Sequence, residues 1–227
     1  MKKYIVILLV GLCYCEINIY DIKCMGMKVA ECHSEVTDTT INQKLFIKLD
    51  YRVESYSFMR ILFSVTNHYT TIIDPNNYSI IFYSKKTSQP NIINQEIKAS
   101  YINKKVRYGN TNYIIDEKEK NIFSLLYLLS INKIENFNRI ILDREGKKYH
   151  CEINSKDDEY IIDINENSAK DLGVIENTDI FTWALFLPNT KKNIKINLKN
   201  NKIEFCKFKK GLFSFTADRV NKKAPIN

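Results

Sequence analysis

Along most of the chain, apolar and polar side chains alternate with a period of two. Leu45, Ile47, Leu49, Tyr51 and Val53 are interleaved with Lys44, Lys48, Asp50 and Arg52, which gives an extended segment one apolar and one mostly polar face. Phe63, Val65, Tyr69 and Ile73 line one side of a second strand whose other side carries Ser64, Thr66, His68 and Thr70. Asp74, Pro75 and Asn76 end it in the order a type I turn favours. The sheet resumes over 78–83, breaks around Pro90, and continues in weaker strands over 97–102 and 105–115.

Residues 121–130 follow a different period. Ile122, Leu125, Leu126 and Leu129 fall at i, i+3, i+4 and i+7, one stripe of a short helix, with Asn121 placed to cap it. Phe123, Tyr127 and Leu128 leave that helix little polar surface, so it is expected to be nearly enclosed against one face or mouth of the sheet. Hairpins follow. Segments 140–142 and 147–153 flank a turn containing Gly146. Tyr149, Cys151 and Ile153 face one way there, and Lys148, His150 and Glu152 the other. Further on, Asn200 and Asn201 read as a two-residue turn that sets Leu198 opposite Ile203 and Ile196 opposite Phe205. Phe181, Trp183 and Leu185 share one face of another expected strand, and Phe213 and Phe215 mark the last one. The fold class is therefore mainly β: an antiparallel curved sheet, half-barrel or closed barrel, with one short apolar helix.

The 16–43 stretch is less periodic and reads as an irregular N-terminal segment before a single β-rich domain over 44–220, with a loose tail over 221–227. Before it stand Lys2 and Lys3, an apolar run from Tyr4 to Tyr14, and Cys15. A basic start, a short apolar core and a small-x-small ending describe a secretory signal peptide, cleaved before Glu16. The run is short of the roughly 20 residues needed to cross a bilayer as a helix. Lipidation at Cys13 or Cys15 is the alternative, and an uncleaved anchor the third. The expected location is exported, periplasmic or membrane-associated in a bacterial cell envelope.

The net charge of +8, or +6 without Lys2 and Lys3, draws an exported domain toward anionic surfaces. The tightest basic run, Lys207, Lys209 and Lys210, reads as a solvated edge. No nucleic-acid reader motif is present, so nucleic acid is not an expected partner. Export would leave Cys24, Cys32, Cys151 and Cys206, which allow three pairings. Cys24 with Cys32 would close a short local loop. His33 beside Cys32 and His150 beside Cys151 match no zinc spacing, and strand neighbours point to opposite faces, so no metal is expected.

Six glycines in the whole chain form no phosphate loop, dinucleotide fingerprint or nucleophile elbow. Asp157, Asp158 and Glu159 are consecutive, diverge and stay wet, unlike an acid/base pair whose pKa values burial separates. His68 and His150 read as residues of polar strand faces. The chain is therefore expected to be non-enzymatic and to need no cofactor. Its aromatic content, 14 Tyr, 12 Phe and one Trp, leaves two readings open. One is ordinary β-core. The other is an apolar cavity lined by Tyr51, Tyr69, Tyr127 and Trp183 that binds a lipid or similar ligand.

Three stretches together resemble the exported bacterial family catalogued as domain of unknown function 3108: 63–69 with Ile73-Asp74-Pro75, the helix 122–129, and Thr182-Trp183 through Pro188 to Ile194-Lys195-Ile196. The resemblance runs from Leu45 to Val220. It implies an envelope protein with an antiparallel sheet, similar to lipoprotein carriers, and supplies no catalytic residues. The alternatives carried forward are an envelope assembly protein acting through protein partners, an envelope hydrolase and an outer-membrane barrel.

Overall fold

The computed structural model describes residues 15–220, apart from 91, 103–104, 109–110, 115–118, 135–138, 157, 171–178, 187–189 and 198. Of the signal peptide expected over 1–15, residues 1–14 lie outside the described residues, as does the tail over 221–227, while Cys15 opens β1.

The first half of the chain forms β1 (Cys15–Cys24), β2 (Met27–Ile41), β3 (Lys44–Ser55), the one-turn helix α1 (Ser57–Arg60), β4 (Thr66–Ile73), β5 (Ile80–Gln89), β6 (Ile92–Ile102), β7 (Lys105–Tyr108) and β8 (Thr111–Ile114). Then come α2 (Ile122–Ser130), β9 (Arg139–Arg144), β10 (Lys147–Lys156), β11 (Glu159–Lys170), α3 (Ile180–Leu185), β12 (Lys191–Asn197), β13 (Lys202–Lys210) and β14 (Phe213–Arg219). All strands belong to one 14-stranded sheet of order β8-β7-β6-β5-β4-β3-β2-β1-β14-β13-β12-β11-β10-β9. Neighbouring strands are antiparallel, and β1 pairs with β14 from Tyr20 opposite Arg219 to Cys24 opposite Phe215. Among the described residues the sheet is not closed: β8 and β9 are its edges. It curls so that Tyr83 on β5 reaches Glu145 at the β9–β10 turn and Tyr101 on β6 reaches Asp143 near the end of β9.

Helix α2 enters the chain at that break and lies in the concave interior, touching β3, β4, β9 and β13. Its start is fixed by a reciprocal cap. The Asn121 side chain accepts from the Ser124 amide at 2.8 Å, and the Ser124 hydroxyl meets the Asn121 amide at 3.1 Å. Asn121 also donates to the buried Thr71 hydroxyl at 2.9 Å, which ties the helix to β4. Asn121→Ala is expected to cost about 1–2 kcal/mol, from the lost cap and the stranded hydroxyl. Thermal unfolding checks this, and an unchanged midpoint would show that the cap carries no weight.

Four sequence expectations are corrected. Residues 16–43 are not irregular; they form β1 and β2 at the centre of the sheet. Cys24 and Cys32 are free. Cys24 pairs with Met27 while Cys32 pairs with Tyr20, four positions farther along the ladder, or roughly 13 Å, whereas a disulfide needs Cα atoms within about 7 Å. Phe181, Trp183 and Leu185 lie on α3, where Asp179 caps the helix by accepting from the Phe181 and Thr182 amides. The β12–β13 hairpin has a longer turn than two residues. The Asn197 side chain accepts from the Lys199 amide, Asn197 pairs with Lys202 and Ile196 with Ile203, and Phe205 faces Lys195. A bulge between these pairs shifts the register, so that Ile203 and Cys206 are both buried.

Candidate functional site

The inward face of β1 presents Glu16, Asn18, Tyr20, Ile22 and Cys24 to a single cavity of about 640 Å³. At about 3.3 Å per residue, that row extends roughly 26 Å. The β1 side of the cavity continues onto β2, β3, β13 and β14. The opposite wall is helical: Phe123, Leu126 and Tyr127 of α2, and Phe181 and Leu185 of α3.

The cavity exists because its two walls differ in side-chain size. Ala30, Cys32 and Ser34 on β2, with Cys206 on β13 and Ala217 on β14, present small groups to it. Burial pushes the Cys32 and Cys206 thiols up to about 12, so both stay protonated and serve as apolar lining. On the other side Phe123 is wedged among tyrosines, with ring centroids 4.8 Å from Tyr51, 4.9 Å from Tyr69 and 6.3 Å from Tyr83. This aromatic group fills its half of the interior and leaves the half beneath β1 and β14 open.

The ends of the cavity have different chemistry. Where β1 begins, the lining is Glu16, Asp38, Asn200, Asn201 and Lys202, with Lys202 paired to Glu16 at 3.0 Å. Where β1 ends, it is Cys24, Val29, Met59, Phe63, Phe213 and Phe215. The result is a long apolar trough with polar groups gathered at one end.

Behind the aromatic wall lies a buried ionic cluster. Lys85 Nζ is 2.6 Å from Glu145 Oε1 and 3.4 Å from Asp179 Oδ2, and each of the three side chains is at most 2% exposed. The Tyr69 hydroxyl donates to Asp179 Oδ1 at 2.6 Å and the Thr182 hydroxyl to Oδ2 at 2.6 Å. Burial opposes ionisation of Asp179, but the Lys85 charge and these donors outweigh it and hold the carboxyl below its ordinary value. Tyr69 thus joins the two regions, one face of its ring toward the cavity and its hydroxyl on Asp179.

On the outer face of the sheet, Asp50 is buried beneath Lys48 at 2.6 Å, Thr70 at 2.5 Å and His68 at 3.1 Å. Acid, histidine and hydroxyl therefore meet, but not as a relay. The Thr70 hydroxyl donates to Asp50, and the His68 Nε2 that lies 3.5 Å from it is the nitrogen that also faces Asp50. A base that activates a hydroxyl uses one ring nitrogen for it and the other for its carboxylate. Lys48, Arg52 and Lys86 lie alongside on the same strands. His150 is exposed on β10, away from this group. Among the described residues, no three His, Cys, Asp or Glu side chains gather to hold a metal.

Tyr51, Tyr69 and Tyr127 line the cavity, while the side chain of Trp183 lies outside the described residues. Lys85, Glu145 and Asp179, which the sequence reading did not single out, come from β5, a hairpin turn and a helix cap. Each looks like an ordinary surface charge in its own stretch of chain.

No family model matches the chain and no curated protein matches it, so the resemblance to domain 3108 rests on its three stretches alone. Among solved structures, the chain is similar to a beta-barrel-like protein of domain of unknown function DUF1849 from Brucella abortus. The TM-score is 0.51 at 10% identity, over 90% of this chain and 95% of that one. The likeness is one of fold.

Proposed function

We propose that this is a non-enzymatic exported protein of the bacterial cell envelope that holds a lipid, or a similarly elongated apolar molecule, beneath β1 and β14. The observation that carries this reading is the apolar cavity of about 640 Å³, within the roughly 300–1,000 Å³ of sites that enclose small molecules. An acyl chain suits the long apolar part. A head group suits the end with Glu16, Asp38, Lys202 and the two asparagines. The envelope setting rests on the leader-like residues 1–15 and on the resemblance to domain 3108.

Lipid extracted from the purified protein and identified by mass spectrometry tests the reading, together with displacement of a fluorescent fatty acid. Ala217→Phe places a ring in the cavity from the half-buried Ala217 position. It is expected to weaken fatty-acid binding at least tenfold while leaving the melting temperature unchanged or raised, since cavity filling tends to stabilise. A wild-type protein that neither carries nor takes up lipid would rule the reading out. Labelling cells with a fatty-acid analogue separates lipidation at Cys13 or Cys15 from cleavage before Glu16.

A further inference from the structure

At the apolar end of the cavity, three connections project side by side. The β1–β2 turn carries Met25 and Met27, 59% and 65% exposed; the α1 loop carries Phe58, Ile61 and Leu62 at 60%, 87% and 80%; the β13–β14 turn carries Leu212 and Phe213 at 92% and 56%. They are bound into one structure. The Met25 amide donates to the Ser214 carbonyl at 2.9 Å, and the Tyr56 amide donates to the Val29 carbonyl at 3.2 Å. Tyr56 donates its hydroxyl to Asp21 and stacks on Phe58. Met59, Phe63 and Phe213, from the same loops, line the cavity itself.

The charges around these tips are not balanced. Asp21 is paired with Lys28, Glu54 with Arg60 and Asp218 with Lys23, and Glu31, opposite Asp21 and Glu54 on β2, has His33 beside it. Lys207 and Lys209, exposed on the adjoining outer face of β13, have no carboxylate partner among the described residues. Lys23, Lys28, Arg60, Lys207 and Lys209 thus stand against Asp21, Glu31, Glu54 and Asp218, which leaves the set net positive by one charge. A convex set of separate apolar prongs with a basic flank suits a fluid, anionic surface that admits side chains, rather than the fixed grooves of a folded partner.

We infer that this end of the curled sheet docks on the surface of an anionic lipid bilayer, with Ile61, Leu62 and Leu212 entering the acyl region and Lys207 and Lys209 facing the phosphates. Docking there sets the apolar end of the cavity against the membrane. Passage of lipid between the two rests on the cavity reading above, whereas docking itself does not.

Flotation with vesicles of phosphatidylethanolamine and phosphatidylglycerol, compared with vesicles of phosphatidylcholine, tests the inference. The wild type is expected to float with the anionic vesicles and less with the neutral ones, and added salt should narrow the difference. The triple variant Ile61→Ser, Leu62→Ser, Leu212→Ser is expected to partition at least tenfold more weakly at an unchanged melting temperature, because these side chains are already in water. Lys207→Gln with Lys209→Gln should lower binding to anionic vesicles about tenfold and leave neutral vesicles unaffected. Ala217→Phe should float like the wild type even when fatty-acid binding is lost, so failure of the cavity reading is seen separately. Three results would overturn the inference: a wild type that floats with neither vesicle, a triple variant that floats equally well, or a wild type that only self-associates in sedimentation through these tips, which would assign them to a second copy of the chain.

Discussion

Lys85→Met is expected to destabilise the protein by about 3–5 kcal/mol, because it leaves two carboxylates buried without their cation. Lys85 is 1% exposed and lies between Glu145 and Asp179, and Glu145 Oε2 has no hydrogen-bond partner among the described residues. Adding Glu145→Gln and Asp179→Asn to the variant should recover most of the loss, because an asparagine side chain in place of Asp179 can still cap α3. The pH dependence has a definite sign. A carboxyl held below its ordinary value, as Asp179 is, contributes stability in full above its unfolded value of about 3.9. That contribution fades as the pH falls through the lower folded value. In Lys85→Met the deficit should instead shrink on acidification, as the stranded Asp179 carboxyl takes up a proton. Urea unfolding at neutral and acidic pH reads both effects. A Lys85→Met protein within about 1 kcal/mol of wild type at neutral pH would show that the cluster is not ionised.

The second large effect is expected at Phe123. Its ring is 7% exposed and holds Tyr51, Tyr69 and Tyr83 at the distances given above. Phe123→Ala should cost about 3–5 kcal/mol, a large share of the roughly 5–15 kcal/mol typical of a whole domain. Because Phe123 also lines the cavity, the void it leaves is continuous with that space. Long-chain fatty acid should then raise the melting temperature of Phe123→Ala more than that of the wild type. An equal rise in both would show that the ligand does not reach this wall.

These two positions illustrate what the amino-acid order made legible. Helix α2 was legible in full, since the apolar stripe and the cap are both local and the helix ends where the stripe does. Strands β3 and β4 were legible because Leu49, Val53, Tyr69 and Ile73 alternate with mostly polar side chains, although Phe46, Asp50 and Thr70 on the second face are buried as well and Leu45 on the first is exposed. The β1–β2 hairpin was not, for a reason tied to the cavity. A strand that borders open space carries Ala30, Cys32 and Ser34 where a packed strand carries large side chains, and its alternation fades. Ile17 on the outer face of β1, 58% exposed, blurs it further. The ionic cluster was out of reach for a different reason. Lys85, Glu145 and Asp179 meet only once the sheet has curled, and no spacing along the chain encodes that closure.

The pairing of β1 with β14 has a consequence for how the container comes into being. Tyr20 meets Arg219, so residues from opposite ends of the chain form adjacent staves, and the ladder between them has the greatest loop-closure distance in the sheet. The two hairpin arrays, β1–β8 and β9–β14, can each zip up from local turns. The trough acquires its floor only when the last strand arrives. A chain cut short before β14 would therefore yield an opened trough rather than a shorter one. A ligand present during refolding would meet the site as two separate halves before it meets a closed one.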